Sequence, residues 1–346
     1  MKKVSRQHRA SDRVKEYDAR VGTRGKYAAA YAETFPDAEA AERLHVWAPL
    51  ASFLWSGAER TIVKDTRVRL AQEFHALGEH KEFKYALSEE EWDRCRTLKH
   101  WLFFTHSRSE LLSAKAKMNA FLLSLWIARP TRTSIPLRFD ISQSGRLRTV
   151  SRVLERFQWI EGHVEEHVRS IDLATVAALI LPLREIAGSR GRLKNALVLT
   201  LRACVVSEWQ SAIVCFAAAA ETILTYSSGP GLTKRLARAY ARLVSADLTL
   251  AGDTEQLFES LYRVRSAIVH GRAHDRVNQS ENLEALALYA DAIRRLWSSV
   301  LRSPNVRAAL DGTDEQRAAL LEATGATASG PPLVVVGGRA MDPENE

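Results

Sequence analysis

Residues 261–272 read LYRVRSAIVHGR. The stretch closes a segment of helical periodicity, and it sets an arginine, a serine and a histidine in the last two turns before a glycine. Asp253, with Gln256 three positions on, is suited to cap the start of this helix, because its carboxylate can accept N–H groups that a first turn leaves open. At 100° per residue, Leu257, Leu261, Val264 and Ile268 fall in one narrow arc, which is predicted to face a core. Phe258, Tyr262, Arg265 and Val269 lie about 90° to one side. That side is too apolar for water. The helix is therefore expected to pack on its own bundle and, through Phe258, Tyr262 and Val269, on the preceding domain or a second subunit. Gly271 allows a left-handed exit from the helix.

Working outward, four helices can be drawn between Arg192 and Ser303. The first, Lys194 to Tyr226, is apolar on nearly every side and ends at SSGPG. The second, Leu232 to Val244, sets Leu232, Leu236, Tyr240 and Leu243 on one face and Lys234, Arg238 and Arg242 at i, i+4 and i+8 on another. Like charges at that spacing repel by a few tenths of a kcal/mol per pair, so an anionic partner would relieve them. Arg235 and Arg272 add to the same basic set. The third helix is the opening one. The fourth, Asn282 to Ser303, spaces Leu283, Leu286, Ala290, Ile293, Trp297 and Val300 as a packed bundle helix does. Glu221, a lone charge in an apolar helix, needs a partner, for which Arg265 and Arg235 are the nearest choices in kind.

The whole chain has 346 residues, 46% of them hydrophobic, enough for two domains. The predicted fold is mainly α, a C-terminal four-helix bundle preceded by a mostly helical N-terminal domain with minor β. Residues 1–25 carry eight Lys/Arg against three Asp/Glu and read as a flexible basic tail. In 26–190, helical runs include DAEAAERLHVWAPLASFLW and the aromatic WLFF and MNAFLLSLWIA, the last stopped by Pro130. Ser88 and Glu91 have capping-box spacing. SIPLRFDI alternates as a strand, with Pro136 confined to an edge or to the strand's own start. Helical pattern resumes from Thr149, and GSRGR at 188–192 separates this region from the bundle of 191–304. Residues 305–346, with three Lys/Arg against seven Asp/Glu, read as a largely disordered acidic tail.

These features exclude several functions. The uncharged apolar runs Met118 to Ala128 and Leu173 to Leu183 are 11 residues each, too short to span a membrane. No apolar stretch follows the basic N-terminus, so a cytoplasmic location is expected. Cys95, Cys204 and Cys215 form no CxxC pair and read as buried thiols. Phosphate-loop and dinucleotide glycine motifs are missing.

The string RSAIVHG, with Arg265 and His270, resembles the Arg-x4-to-6-His motif of the HEPN superfamily, and most closely its Apea-like branch. The alanine-rich segment ending in Glu221 and the basic helix KRLARAYARLV resemble that branch too. Many ribonuclease members carry Asn after the arginine, where this chain has Ser266. The resemblance covers the bundle only. It implies a metal-independent endoribonuclease of prokaryotic antiviral (abortive infection) or toxin–antitoxin defence, with no cofactor, acting as a homodimer with a composite site. RNA is the implied partner, joined by a partner protein or phage-derived trigger. RNA carries its own nucleophile, so the enzyme must supply a cation for the phosphate and a proton acceptor and donor. Arg265 offers a permanently charged fork, His270 an imidazole that can take and give a proton, Ser266 can orient its ring, and Glu221 supports the site. Lys234, Arg235, Arg238, Arg242 and Arg272 would hold the RNA. Two other readings compete. HVEEH at 163–167 fits a zinc-peptidase pattern through His163, Glu166 and His167, and the bundle could serve as a non-catalytic regulator that only binds nucleic acid or protein. His270, His274 and Asp275 could imitate a metal cluster, but Gly271 interrupts the helix that would align them.

Overall fold

The structure is a computed structural model that describes residues 43–72, 74, 86–107, 110, 112–152, 167–226, 231–245, 251–271 and 279–322, with side chains of the last range described from 283. Among the described residues the chain is mainly helical, with one antiparallel sheet. Strands β1 (Arg43–Pro49), β2 (Arg60–Val63), β3 (Thr66–Leu70), β4 (His100–Ser107), β5 (Leu137–Ser142) and β6 (Leu147–Arg152) are ordered β2-β3-β4-β1-β5-β6. Helix α1 (Glu89–Thr97) precedes β4, and α2 (Ala114–Ala128) lies between β4 and β5.

The minor β expected of this region is a small antiparallel sheet, of which only β5 was expected as a strand. Both β1 and β4 fall in runs whose pattern suggested helix. The reason is burial on both sheet faces. Val46, Val68, Leu102 and Phe104 pack with α2 in the main core, while Trp47, Trp101 and Phe139 join Phe74, Leu87 and Cys95 in a second cluster. A strand with no wet face loses its alternation and cannot be told from a buried helix by period. The local chemical signals fared better. Ser88 Oγ accepts from Glu91 N at 3.1 Å and Glu91 Oε2 from Ser88 N at 2.9 Å, closing the capping box. Glu91 also receives Arg152 Nε and Nη2 at 2.6 and 2.8 Å, which ties α1 to β6. α2 stops before Pro130, and Pro136 immediately precedes β5, an internal strand.

Beyond the sheet come α3 (Ser170–Gly188), α4 (Arg192–Val205), α5 (Trp209–Leu224), α6 (Leu232–Val244), α7 (Ala251–Val269) and α8 (Gln279–Arg302). The single first helix expected from Lys194 to Tyr226 is two. α4 buries Leu193, Ala196, Leu197, Thr200, Ala203 and Cys204, but α5 buries Ala212, Ile213, Phe216, Ala219, Ala220 and Ile223. These stripes are out of phase, so one straight helix could not bury both; the break at Val206–Glu208 lets the two pack on each other. Nor does GSRGR separate two cores. Trp126 of α2 stacks on Phe216 of α5 with centroids 5.9 Å apart, and Arg294 of α8 donates to the carbonyls of Trp126 and Ile127 at 2.7 and 3.2 Å. One apolar cluster runs from β1 to α8.

The acidic tail expected from residue 305 begins as structure. α9 (Pro304–Asp311) and α10 (Asp314–Glu322) bury Leu310 and Leu321, and Ser303 caps α9. Asp311 Oδ1 accepts from Leu193 N at 2.9 Å, so this carboxylate caps α4. Gly191 makes room for it, because a Cβ there would lie 2.0 Å from Asp311. The expected tails at 1–25 and 323–346 lie outside the described residues. No described helix is long and apolar enough to cross a membrane.

A charged network pins the sheet to the helices. Lys117 of α2, its side chain 6% exposed, gives all three donors away: to Asp65 Oδ2 at 3.2 Å, Glu110 Oε2 at 2.5 Å and the Thr105 carbonyl at 3.0 Å. Arg184 of α3 donates to Asp65 Oδ1 at 2.8 Å and Thr66 Oγ1 at 2.7 Å. Burial works to raise both carboxyls, yet Arg184 and Lys117 hold Asp65, and Lys117 holds Glu110, below their usual range. Lys117→Met should cost roughly 2 to 3 kcal/mol at pH 7, less than a fully buried pair because both carboxylates reach solvent. A carboxyl with a lowered folded pKa contributes stability above its unfolded value and loses it as pH falls through the folded one. Protonation of His106, 3.6 Å from Glu110 and held low by burial, adds a cation and acts in the same direction. Thermal melts should therefore show a Lys117→Met deficit at pH 7 that shrinks towards pH 3; an equal deficit at both would refute the network's role.

Candidate functional site

The opening stretch meets its neighbours through one carboxylate. Glu221 of α5 accepts from Tyr262 Oη at 2.7 Å and pairs with Arg265, whose Nη2 lies 3.1 Å away, both through the same Oε1. The Arg265 guanidinium also lies 5.4 Å over the Tyr262 ring. Burial, with Glu221 adding to it, pushes the Tyr262 hydroxyl up to about 12, so it remains a donor across the physiological range. Tyr289 of α8 stands by the same group. It is fully buried, burial raises its hydroxyl, and that hydroxyl has no partner among the described residues. Arg265 Nε is likewise buried and unsatisfied among them.

His270 sits differently. Its N–H donates to the Ser266 carbonyl at 3.1 Å, so the helical ladder continues to the histidine. Gly271 N then bonds to the Ile268 carbonyl at 3.1 Å with φ at +67°, the left-handed exit expected of this glycine. His270 is exposed, whereas Arg265 is turned to Glu221 and half-buried. Five positions on a helix put the two about 140° apart, and no contact joins them among the described residues. The bond that Ser266 makes to His270 is through its backbone. Of the two partners expected for Glu221, Arg265 is the one it has.

The dimer face expected on α7 needs correction. Phe258 is fully buried and stacks on Tyr240 of α6 with centroids 4.3 Å apart, and Tyr262 is buried on Glu221, so neither is free for a second subunit. Val269 is 49% exposed and Leu257, expected in the core, is 38% exposed. The inward side of the helix is wider than the expected arc: Leu261 is buried and Val264 and Ile268 pack half-buried on the core as expected, while Phe258 and Tyr262 are buried beside them and the tyrosine hydroxyl gains an acceptor. Tyr289 is the site residue that sequence reasoning missed, and Tyr262, expected at an interface, belongs to the site instead. A tyrosine one turn before Arg265 was the available signal.

The basic face of α6 is divided. Lys234 is exposed, and Arg238 Nε lies 3.8 Å from Glu255 Oε1 with most of its side chain in water. Arg242 donates to the Leu321 carbonyl at 2.7 Å, so it closes the end of α10 and does not extend the row. Arg235 is half-buried. Arg272, His274 and Asp275 lie outside the described residues, as do His163 and Glu166 of the zinc-like pattern; His167 is exposed beside the bridge to Leu54. No group of three His, Cys, Asp or Glu among the described residues could hold a metal ion. The three cysteines are free, and burial pushes Cys95 up to about 12 and raises Cys204 and Cys215, which keeps them protonated and unreactive.

Chemically, the arrangement is a guanidinium oriented by a carboxylate, with donors to spare, and an exposed imidazole five residues on, at the helix end and about 140° round from it. A double-mutant cycle of Glu221→Gln and Arg265→Gln in thermal unfolding should return a coupling of about 1 kcal/mol for this half-exposed pair. Strictly additive losses would mean that the contact carries no net energy.

Comparison with known protein families, with curated proteins and with solved structures finds no match.

Proposed function

We propose that the chain is a metal-independent endoribonuclease of the HEPN type, a cytoplasmic effector of prokaryotic antiviral or toxin–antitoxin defence. In this reading α4 to α8 correspond to the four-helix bundle, with its first helix broken in two. The observation that carries it is the end of α7: Gly271 terminates the helix directly after His270 and leaves the imidazole exposed, five residues from an arginine whose orientation Glu221 fixes. The RNA 2′-oxygen attacks the adjacent phosphorus as His270 takes its proton. Arg265 pairs with the phosphate oxygens through donors that Glu221 leaves unused. The phosphorus–O5′ bond breaks, a second imidazole protonates the leaving oxygen, and the products are a 2′,3′-cyclic phosphate and a 5′-hydroxyl. One histidine cannot be acid and base at once, so a second copy of the chain supplies the other His270.

A specific observation favours a second reading. Arg265 is already satisfied in charge by Glu221, as it would be in a regulator that binds nucleic acid or a partner protein without cutting.

RNA cleavage in the presence of a chelator decides between them. Arg265→Ala and His270→Ala should each reduce cleavage by about 10²- to 10⁴-fold, with cyclic-phosphate ends on the wild-type products. His270→Ala, losing an exposed helix-end group, should cost at most about 2 kcal/mol of stability. An active His270→Ala protein would end the ribonuclease reading.

The composite site also predicts assembly. At micromolar concentration light scattering should give a dimer, and Val269→Asp, next to His270 and on the exposed side, should dissociate it and lower cleavage in parallel. A monomer that still cleaves RNA would rule out the shared site.

A further inference from the structure

The six strands hold seven arginines against a single acid, Asp140. Successive strand residues point to opposite faces, so Arg43, His45 and Trp47 of β1 share the side away from Val46 and α2. The register puts Phe103 of β4 beside Trp47, and Arg67 of β3 beside Phe103. The side chains meet accordingly. The Phe103 ring is 4.8 Å from Trp47 and 5.6 Å from His45, which approaches it edge-on. The Arg69 guanidinium lies 5.3 Å and 5.2 Å over the Trp47 and Phe103 rings. Towards Trp101 and Phe139 this face is covered by Phe74 and Leu87. Towards Arg43 it opens: Arg43 and Arg67 are exposed, and His45 and Phe103 half-buried.

We propose that this open half of the sheet face binds single-stranded nucleic acid, with bases stacking on Phe103 and His45 and phosphates meeting Arg43 and Arg67. Rings flanked by permanent cations on a rigid sheet answer both parts of such a ligand, its π-faces and its regular charge. An acidic peptide would engage the arginines and leave the rings unused. A duplex hides its base faces, so the strand must be single. Glu59 lies 3.7 Å from Arg67 and 3.5 Å from Arg69, but Arg67 and Glu59 are 44% and 41% exposed, and a pair so solvated is readily exchanged for phosphate. Burial, helped by the Arg69 charge, holds His45 below its usual value, which keeps its ring neutral for stacking. The site would gather substrate for the Arg265 and His270 region; its preference for RNA rests on the ribonuclease reading, and its stacking surface does not.

The test uses the full chain carrying His270→Ala, with chelator, so that RNA stays intact. Fluorescence anisotropy would follow an oligouridine of about 15 nucleotides, the matching oligothymidine and a duplex of equal length. Both single strands should bind, the duplex at least about 10-fold more weakly. Phe103→Leu keeps an apolar contact with Trp47 but removes the flat ring, and should weaken binding about 10-fold. Arg43→Gln and Arg67→Gln, both at exposed positions, should each flatten the logarithmic salt slope by about 0.7. Unchanged affinity and slope in these variants, with melting temperatures preserved, would overturn the proposal, as would polyglutamate competing as well as oligouridine. The two readings fail separately. Cleavage by chains with an intact His270 and unchanged KM in all three variants would sink the sheet site alone, whereas single-strand binding that depends on Phe103, without cleavage under any condition, would sink the ribonuclease alone.

Discussion

From Ala120 to Ile127 the helix α2 has no side on which it can meet water. Met118, Phe121, Leu122, Leu125 and Trp126 form one buried face, Ala120, Leu123, Ser124 and Ile127 on the opposite side are buried as well, and burying a large apolar side chain is worth roughly 1.5 to 3 kcal/mol. Such a helix has to be enclosed. The sheet covers it on one side, and α3 and α8 contact it on others. Its C-terminal carbonyls are then far from solvent, and Arg294 reaches in from α8 to satisfy two of them. Two parts of the chain that composition would separate at residues 188–192 are joined by that enclosure, and the position of α8, and with it of α7, follows from it.

How far the sequence was legible depends on the range of each interaction. The Ser88 box, the stop before Pro130 and the exit at Gly271 are properties of a few adjacent residues, and each stands where its chemistry required. Elements whose identity depends on what covers them were misread. β4 is apolar on both faces because α2 lies on one and Phe74 on the other, so its period was uninformative. The α4–α5 break was concealed by two stripes that look, laid end to end, like one helix apolar all round. α9 and α10 come from a stretch acidic enough to suggest disorder, yet Leu310, Leu321 and the Asp311 cap attach it to α4.

The site shows the same division. Arg265 and Glu221 could be paired on the argument that a lone buried carboxylate needs a cation, and they are paired. The full width of the inward side of α7 could not be read, because Tyr240 and Glu221 on other helices draw in Phe258 and Tyr262 beside the Leu261, Val264 and Ile268 arc. The consequence reaches the surface: the aromatic residues expected between subunits became interior, and the apolar side chains left in water are Leu257 and Val269.

In the proposed ribonuclease, the contact between Glu221 and Arg265 acts both against and for phosphate binding. Glu221 lowers the net charge available to a phosphate, but it receives a single nitrogen of a five-donor fork and leaves the plane of the guanidinium fixed between Tyr262 and α5. An arginine free to sample its rotamers would lose about 2 kcal/mol of entropy on binding, and one already held loses less. The arrangement thus exchanges some attraction for orientation, and orientation is the part of the binding energy that a transition state can use. Among the described residues, Arg265 Nε and the Tyr289 hydroxyl are the buried polar atoms of this cluster that have no partner, so it is there that the bundle interior leaves polar capacity uncommitted.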